Sequence, residues 1–146
     1  MGFYDKQNIK MFNESIEPNN AKKIAKDFYT FCDEANDFMN DYIWKDATAM
    51  GKRVFESEWR KAIGGFGKKF GIYLDPENYE IGVEVKGKNS GVKYANLGDD
   101  NLFNMVDFDD NDQQQFYDTL SKNLDKVINA ESDWLDKYYR KNIKKA

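Results

Sequence analysis

The chain reads as an α+β domain: two N-terminal helices, a three- to four-stranded antiparallel meander, and one or two C-terminal helices packed on the sheet. Three observations predict it. Apolar residues recur at helical spacing from Ala21 to Tyr42. The period falls to two between Tyr79 and Val85, where Tyr79, Ile81, Val83 and Val85 alternate with Glu80, Gly82 and Glu84. Helical spacing returns after Asp112. At 146 residues, the length suits one domain covering 1–146, large enough to bury a core without staples.

The first sixteen residues lack periodicity and are left as a candidate flexible arm. Pro18 suits a helix start. Beyond it the apolar positions run Ala21, Ala25, Phe28, Cys32, Ala35, Met39 and Tyr42, a 4-3-4-3-4-3 spacing. Ile24, Phe31, Phe38 and Ile43 widen the stripe, and aspartates and a glutamate occupy the other face. A second helix, broken from the first near Gly51 or continuous with it, places Val54, Phe55, Trp59, Ala62 and Ile63 on one side. Gly64-Gly65 is expected to end it as a C-cap.

"GIYLD" is expected to be a strand, and Asp75-Pro76-Glu77-Asn78 a turn with proline at its second position. The alternation that follows predicts a second strand with Tyr79, Ile81, Val83 and Val85 facing the helices. Glu80, Gly82, Glu84 and Lys86 face away. Val92 to Leu97 is a third strand and Leu102 to Phe108 a fourth, separated by short turns that imply hairpins. Asp112 as N-cap and Gln115 three residues later form an expected capping box. Phe116, Leu120, Leu124, Val127 and Ile128 make the next stripe, extended by Trp134, Leu135 and Tyr138 after an expected break at Ser132.

The composition excludes much chemistry. Histidine is absent, which removes Ser-His-Asp, Cys-His and HExxH sites. One cysteine, Cys32, allows neither a disulfide framework nor a cysteine zinc cluster, and its place on the apolar stripe marks it as a buried hydrophobe. No apolar stretch approaches the ~18 residues that a membrane span needs, and the N-terminus carries no signal-peptide pattern. A cytoplasmic location without membrane contact is therefore expected. No cofactor is expected either.

Net charge is −4 and unevenly spread. Between Tyr94 and Ser121 there is no lysine or arginine but there are seven aspartates. Only three of the 22 basic residues are arginine, so direct nucleic-acid binding is not expected. The acidic run instead suits a protein partner with a basic surface, such as a nucleic-acid-binding enzyme or a toxin. Asp99, Asp100, Asp107, Asp109 and Asp110 are the candidate binding residues. Size, acidity and an arginine-poor composition resemble, in type, toxin-immunity proteins and the counter-defence inhibitors of phages, including those directed against CRISPR. The expected function is non-enzymatic: binding and inhibiting or neutralising another protein.

Three motifs offer other chemistry. "LDPENYEIGVEVKG" resembles a short PD-(D/E)xK nuclease motif, which would make Asp75 and Glu84 metal ligands and Lys86 the residue that activates water. A metal-dependent nuclease is accordingly the alternative function. The expected two further hairpin strands depart from that family, which follows its E-x-K strand with a helix. "DFDDNDQQQFYD" resembles an EF-hand loop at Asp107, Asp109 and Asn111, but Asp112 stands where glycine is required and Asp118 where glutamate is expected. "GGFGKKFG" lacks the first glycine and the Ser/Thr of a phosphate-binding loop.

Overall fold

The computed structural model describes residues 18–88, 90–98 and 102–143. The candidate arm, Asp99 and Asp100 lie outside the described residues. The architecture is α+β, with two N-terminal helices, a four-stranded antiparallel sheet and one long C-terminal helix packed on it.

Helix α1 spans Ala21–Phe38 and continues as a π-helical turn over Met39–Trp44. Its buried residues are Ile24, Ala25, Phe28, Phe31, Cys32 and Ala35, as the spacing predicts. The stripe then slips by one residue. A π turn uses more residues per turn than an α turn. The residue after Met39 to point inward is therefore Ile43, fully buried, while Tyr42 is exposed.

Thr48 caps helix α2 (Ala49–Phe70), its hydroxyl accepting the Gly51 N–H at 3.0 Å. The break between the helices thus precedes Gly51. Helix α2 buries Phe55, Trp59 and Gly67, while Val54 is exposed. The expected stop at Gly64-Gly65 is wrong: the helix runs through both glycines. It ends at Gly71, whose φ of 72° is a left-handed cap and whose N–H reaches the Gly67 carbonyl at 2.7 Å. "GGFGKKFG" is therefore the last turns of a helix and its cap.

Strands β1 (Ile72–Asp75), β2 (Glu80–Val85), β3 (Gly91–Leu97) and β4 (Phe103–Asn104) pair in sequence order, each antiparallel to the next. A short 3-10 turn over Pro76–Asn78 joins the first two, and Tyr79 leaves it in the left-handed region at φ 51°. Ile72, Leu74, Ile81, Val83, Val85 and Ala95 are buried on one face. Glu84 is exposed on the other, so the register read from the alternation holds. The fourth strand is shorter than expected, because the chain turns at Val106-Asp107, where the Phe108 N–H donates to the Met105 carbonyl at 3.2 Å, before the next helix begins.

Helix α3 (Asp110–Tyr138) lays Phe116, Leu120, Leu124, Val127 and Leu135 into the core and passes Ser132 without a break, then ends in a π turn over Tyr139–Ile143. Its capping box lies three residues earlier than expected. The Asp109 carboxylate accepts the Asp112 N–H at 2.8 Å, and the Asp112 carboxylate accepts the Asp109 N–H at 3.2 Å. Gln115 instead clamps the end of β2, accepting the Lys86 N–H and donating to the Lys86 carbonyl, each at 2.8 Å.

Candidate binding surface

The acidic segment leads into helix α3 and caps it. Asp107, Asp109 and Asp110 are exposed, as a binding role requires. Asp109, however, is also the N-cap of α3, and Asp110 sits in the first turn, where the helix dipole favours an acid. Asp112 is buried and ion-paired to Lys93 at 2.6 Å. Burial pushes its carboxyl up, but hydrogen bonds from Lys93 and Asp109 outweigh that and hold it below its ordinary value. Lys93 also donates to the Asp107 carbonyl at 2.7 Å, and its ammonium stands 5.9 Å from the centre of the Phe108 ring. The EF-hand-like residues are therefore an interlocked helix start.

The nuclease-like trio is not brought together. Asp75 pairs with Glu80 across the β1–β2 ladder, so Glu84 stands four residues further along, about 13 Å of strand. The Asp75 carboxylate accepts from Asn78 at 2.8 Å, and Glu84 accepts from the Tyr73 hydroxyl at 2.9 Å. The Lys86 backbone is held by Gln115. No group of three or more acidic or cysteine side chains among the described residues is arranged to hold a metal ion.

The outer face of the sheet, away from the core, has its own construction. The ladder aligns Tyr73, Gly82 and Tyr94 in one row across three strands, and Asp75, Glu80 and Asn96 in the next. Gly82 makes room for the Tyr94 ring: a Cβ built there would lie 2.6 Å from that ring. Gly67 of α2 does the same for Tyr73, with only 1.9 Å to the ring. Two glycines thus let two tyrosines lie down on the backbone. Tyr94 remains 54% exposed, and Val92 is open beside it.

Where α2 passes the β1 edge of this face there is a cleft of about 420 Å³. Glu56, Trp59, Arg60 and Ile63 line it from the helix, and Tyr73, Asp75, Glu80 and Tyr94 from the strands. Glu77 and Asn78 of the 3-10 turn complete its rim. Burial raises the Glu77 carboxyl, and Asp75 and Glu56 add to the rise, while Arg60 opposes it.

Behind the cleft lies a buried acid. The Trp59 indole N–H donates to Glu131 Oε1 at 3.0 Å, and Glu131 is fully buried. Its other oxygen, Oε2, has no hydrogen-bond partner. Burial pushes the Glu131 carboxyl up to about 8; the Trp59 bond opposes this and Asp75 reinforces it. The group is accordingly a neutral acid at pH 7. Cys32 is fully buried, and burial pushes its thiol up, the state of a packing residue rather than a nucleophile.

Of this surface, the alternation reaches Glu80 and Gly82 as outward-facing positions, and Asp75 is read only as the first residue of a proline turn and a candidate metal ligand. Sequence reasoning misses Trp59, Tyr73, Tyr94, Gly67 and Glu131 as parts of one site. Glu131 carried a signal, an acid at helical spacing on the stripe Leu124, Val127, Glu131, Leu135.

Among the described residues, no helix is long and apolar enough to cross a membrane. Comparison with known proteins adds no relative: no family model, no curated protein and no solved structure matches the chain.

Proposed function

We propose that the protein is a non-enzymatic binding module that engages, and thereby inhibits or neutralises, a protein with a basic surface. The observation that carries this reading is the open outer face of the sheet. Exposed Tyr94 and Val92 sit there among exposed or half-exposed acids, and no described helix covers them. Aromatic residues flanked by charge are the usual energetic anchors of protein interfaces. The acidic segment from Asp99 to Asp118 adds long-range attraction, which acts on association rate and fades over ~8 Å at physiological salt. Roles of the immunity or counter-defence type, against a toxin or a nucleic-acid-binding enzyme, fit this description.

The test uses a partner captured from the source cell with the wild-type protein. Reversing Asp107 and Asp118 to lysine, both exposed and neither the α3 N-cap, should slow association several-fold and flatten its salt dependence. Asp109 is avoided because its loss would cost about 1 kcal/mol of stability through the cap alone. An on-rate indifferent to both the reversal and added salt would reduce the acidic segment to a solubility feature.

A further inference from the structure

We propose that the cleft between α2 and the outer face of the sheet receives the guanidinium of an arginine side chain from the protein partner. The proposal rests on the protein-binding reading above and assigns that reading its point of deepest contact.

The argument starts from unbalanced charge. Glu56, Asp75, Glu77 and Glu80 line the cleft, against a single base, Arg60. The four ion pairs among the described residues all lie elsewhere, so Arg60 neutralises none of these carboxylates within 4.0 Å. Asp75 and Glu80 are also direct cross-strand partners. Like charges in that position repel, and a strand pair gains nothing from placing them there. A cation held between them turns the repulsion into attraction.

The walls choose the kind of cation. Tyr73 and Tyr94 present aromatic surface on the strand side, each seated on a glycine that permits no side chain beneath it. Trp59 forms part of the helix side, and its indole N–H is already committed to Glu131. A planar, weakly hydrated guanidinium can stack on such rings while its fork of N–H donors meets carboxylates two at a time. A small, strongly hydrated metal ion would instead need three or more converging oxygen ligands, and the described residues provide no such group. The volume, about 420 Å³, exceeds what one ion fills and suits a side chain.

The first experiment needs no partner. The full chain is titrated with the capped tripeptide acetyl-Gly-Arg-Gly-amide, following backbone and indole N–H resonances. Parallel titrations use the neutral citrulline analogue, spermidine, and magnesium or manganese chloride. The expected result is saturable binding with a Kd on the order of 1 mM, with shifts centred on Trp59, Tyr73 and Tyr94 and at least ~tenfold weaker binding of the citrulline peptide. Asp75→Asn and Glu80→Gln should each weaken binding by about fivefold, and Arg60→Ala should strengthen it, since it removes the competing cation. Each variant is checked for an unchanged thermal midpoint. Equal binding of citrulline, shifts that map elsewhere, or a response to the divalent ions alone would overturn the proposal. So would spermidine binding as tightly as the peptide, which would make the ligand a free polycation. Loss of the arginine response with partner binding through Tyr94 intact would overturn this inference and leave the protein-binding reading standing.

Discussion

The two faces of the sheet are built from the same few strands and obey different rules. On the inner face Ile72, Leu74, Ile81, Val83, Val85 and Ala95 are buried against the helices, and the side chains are branched or small. On the outer face the alternate positions hold tyrosines, acids and Gly82, and Tyr94 and Val92 stay open. Strand geometry sends successive side chains to opposite faces, so one stretch of sequence serves both. The inner face has been selected for packing. The outer face includes a choice that packing does not explain, Asp75 opposite Glu80, and a glycine in the middle of β2 whose role is to seat the Tyr94 ring. The difference separates what holds the molecule together from what it presents to others.

The comparison breaks most forcefully if core residues prove dispensable. Phe116 is fully buried, with the Phe103, Phe108 and Tyr117 rings centred 5.1, 5.5 and 5.3 Å from its own. Phe116→Ala should cost about 3–5 kcal/mol in urea unfolding, through lost burial and the cavity left behind.

The next effect is a pH dependence. The Glu131 carboxyl is raised to about 8 when folded, above its ordinary 4.5 in the unfolded chain. The folded state therefore keeps a proton that the unfolded state sheds between those values. Stability from this group is complete below about pH 4.5 and is lost as pH rises toward 8, by a few kcal/mol in all. Glu131→Gln keeps an acceptor for Trp59 and cannot ionise. Unfolding free energies measured from pH 5 to 9 should fall for the wild type relative to the variant. Parallel curves would remove the buried neutral acid from the account.

A smaller contrast lies between neighbours in β2. Val83→Ala should cost about 1–3 kcal/mol, while Glu84→Ala, on the exposed face, should change stability by about 0.5 kcal/mol. Equal losses would contradict the division of the sheet into two faces.

Period carried most of the legible information. The α1 stripe from Ile24 to Met39 and the register of β2 follow from spacing, because a helix and a strand repeat at fixed intervals. Errors arose where a local competitor changed the interval. Of the two expected inward positions Tyr42 and Ile43, the π turn after Phe38 keeps only Ile43 inside and turns Tyr42 out. Gly64-Gly65 has the look of a stop, yet the helix tolerates both, and it is Gly67 and Gly71 that tertiary packing and backbone sign require. The run Asp109-Asp110-Asn111-Asp112 offers two start points for a helix. The earlier one won because Lys93 neutralises Asp112 in the buried position. The cleft was illegible because its parts lie on a helix, two hairpins and a turn that only folding brings together. No spacing rule joins Trp59 to Tyr73 and Tyr94, or Trp59 to Glu131 seventy-two residues away.

The central claim, that the outer face exists for binding and the inner face for stability, is tested most directly at Tyr94. The measurement pairs the unfolding free energy of Tyr94→Ala with its affinity for the captured partner. The account predicts a stability change under about 1 kcal/mol, because the ring is mostly exposed, and a loss of affinity of at least about tenfold, because the ring is an interface anchor. A stability loss matching that of Val83→Ala, with partner affinity unchanged, would contradict it.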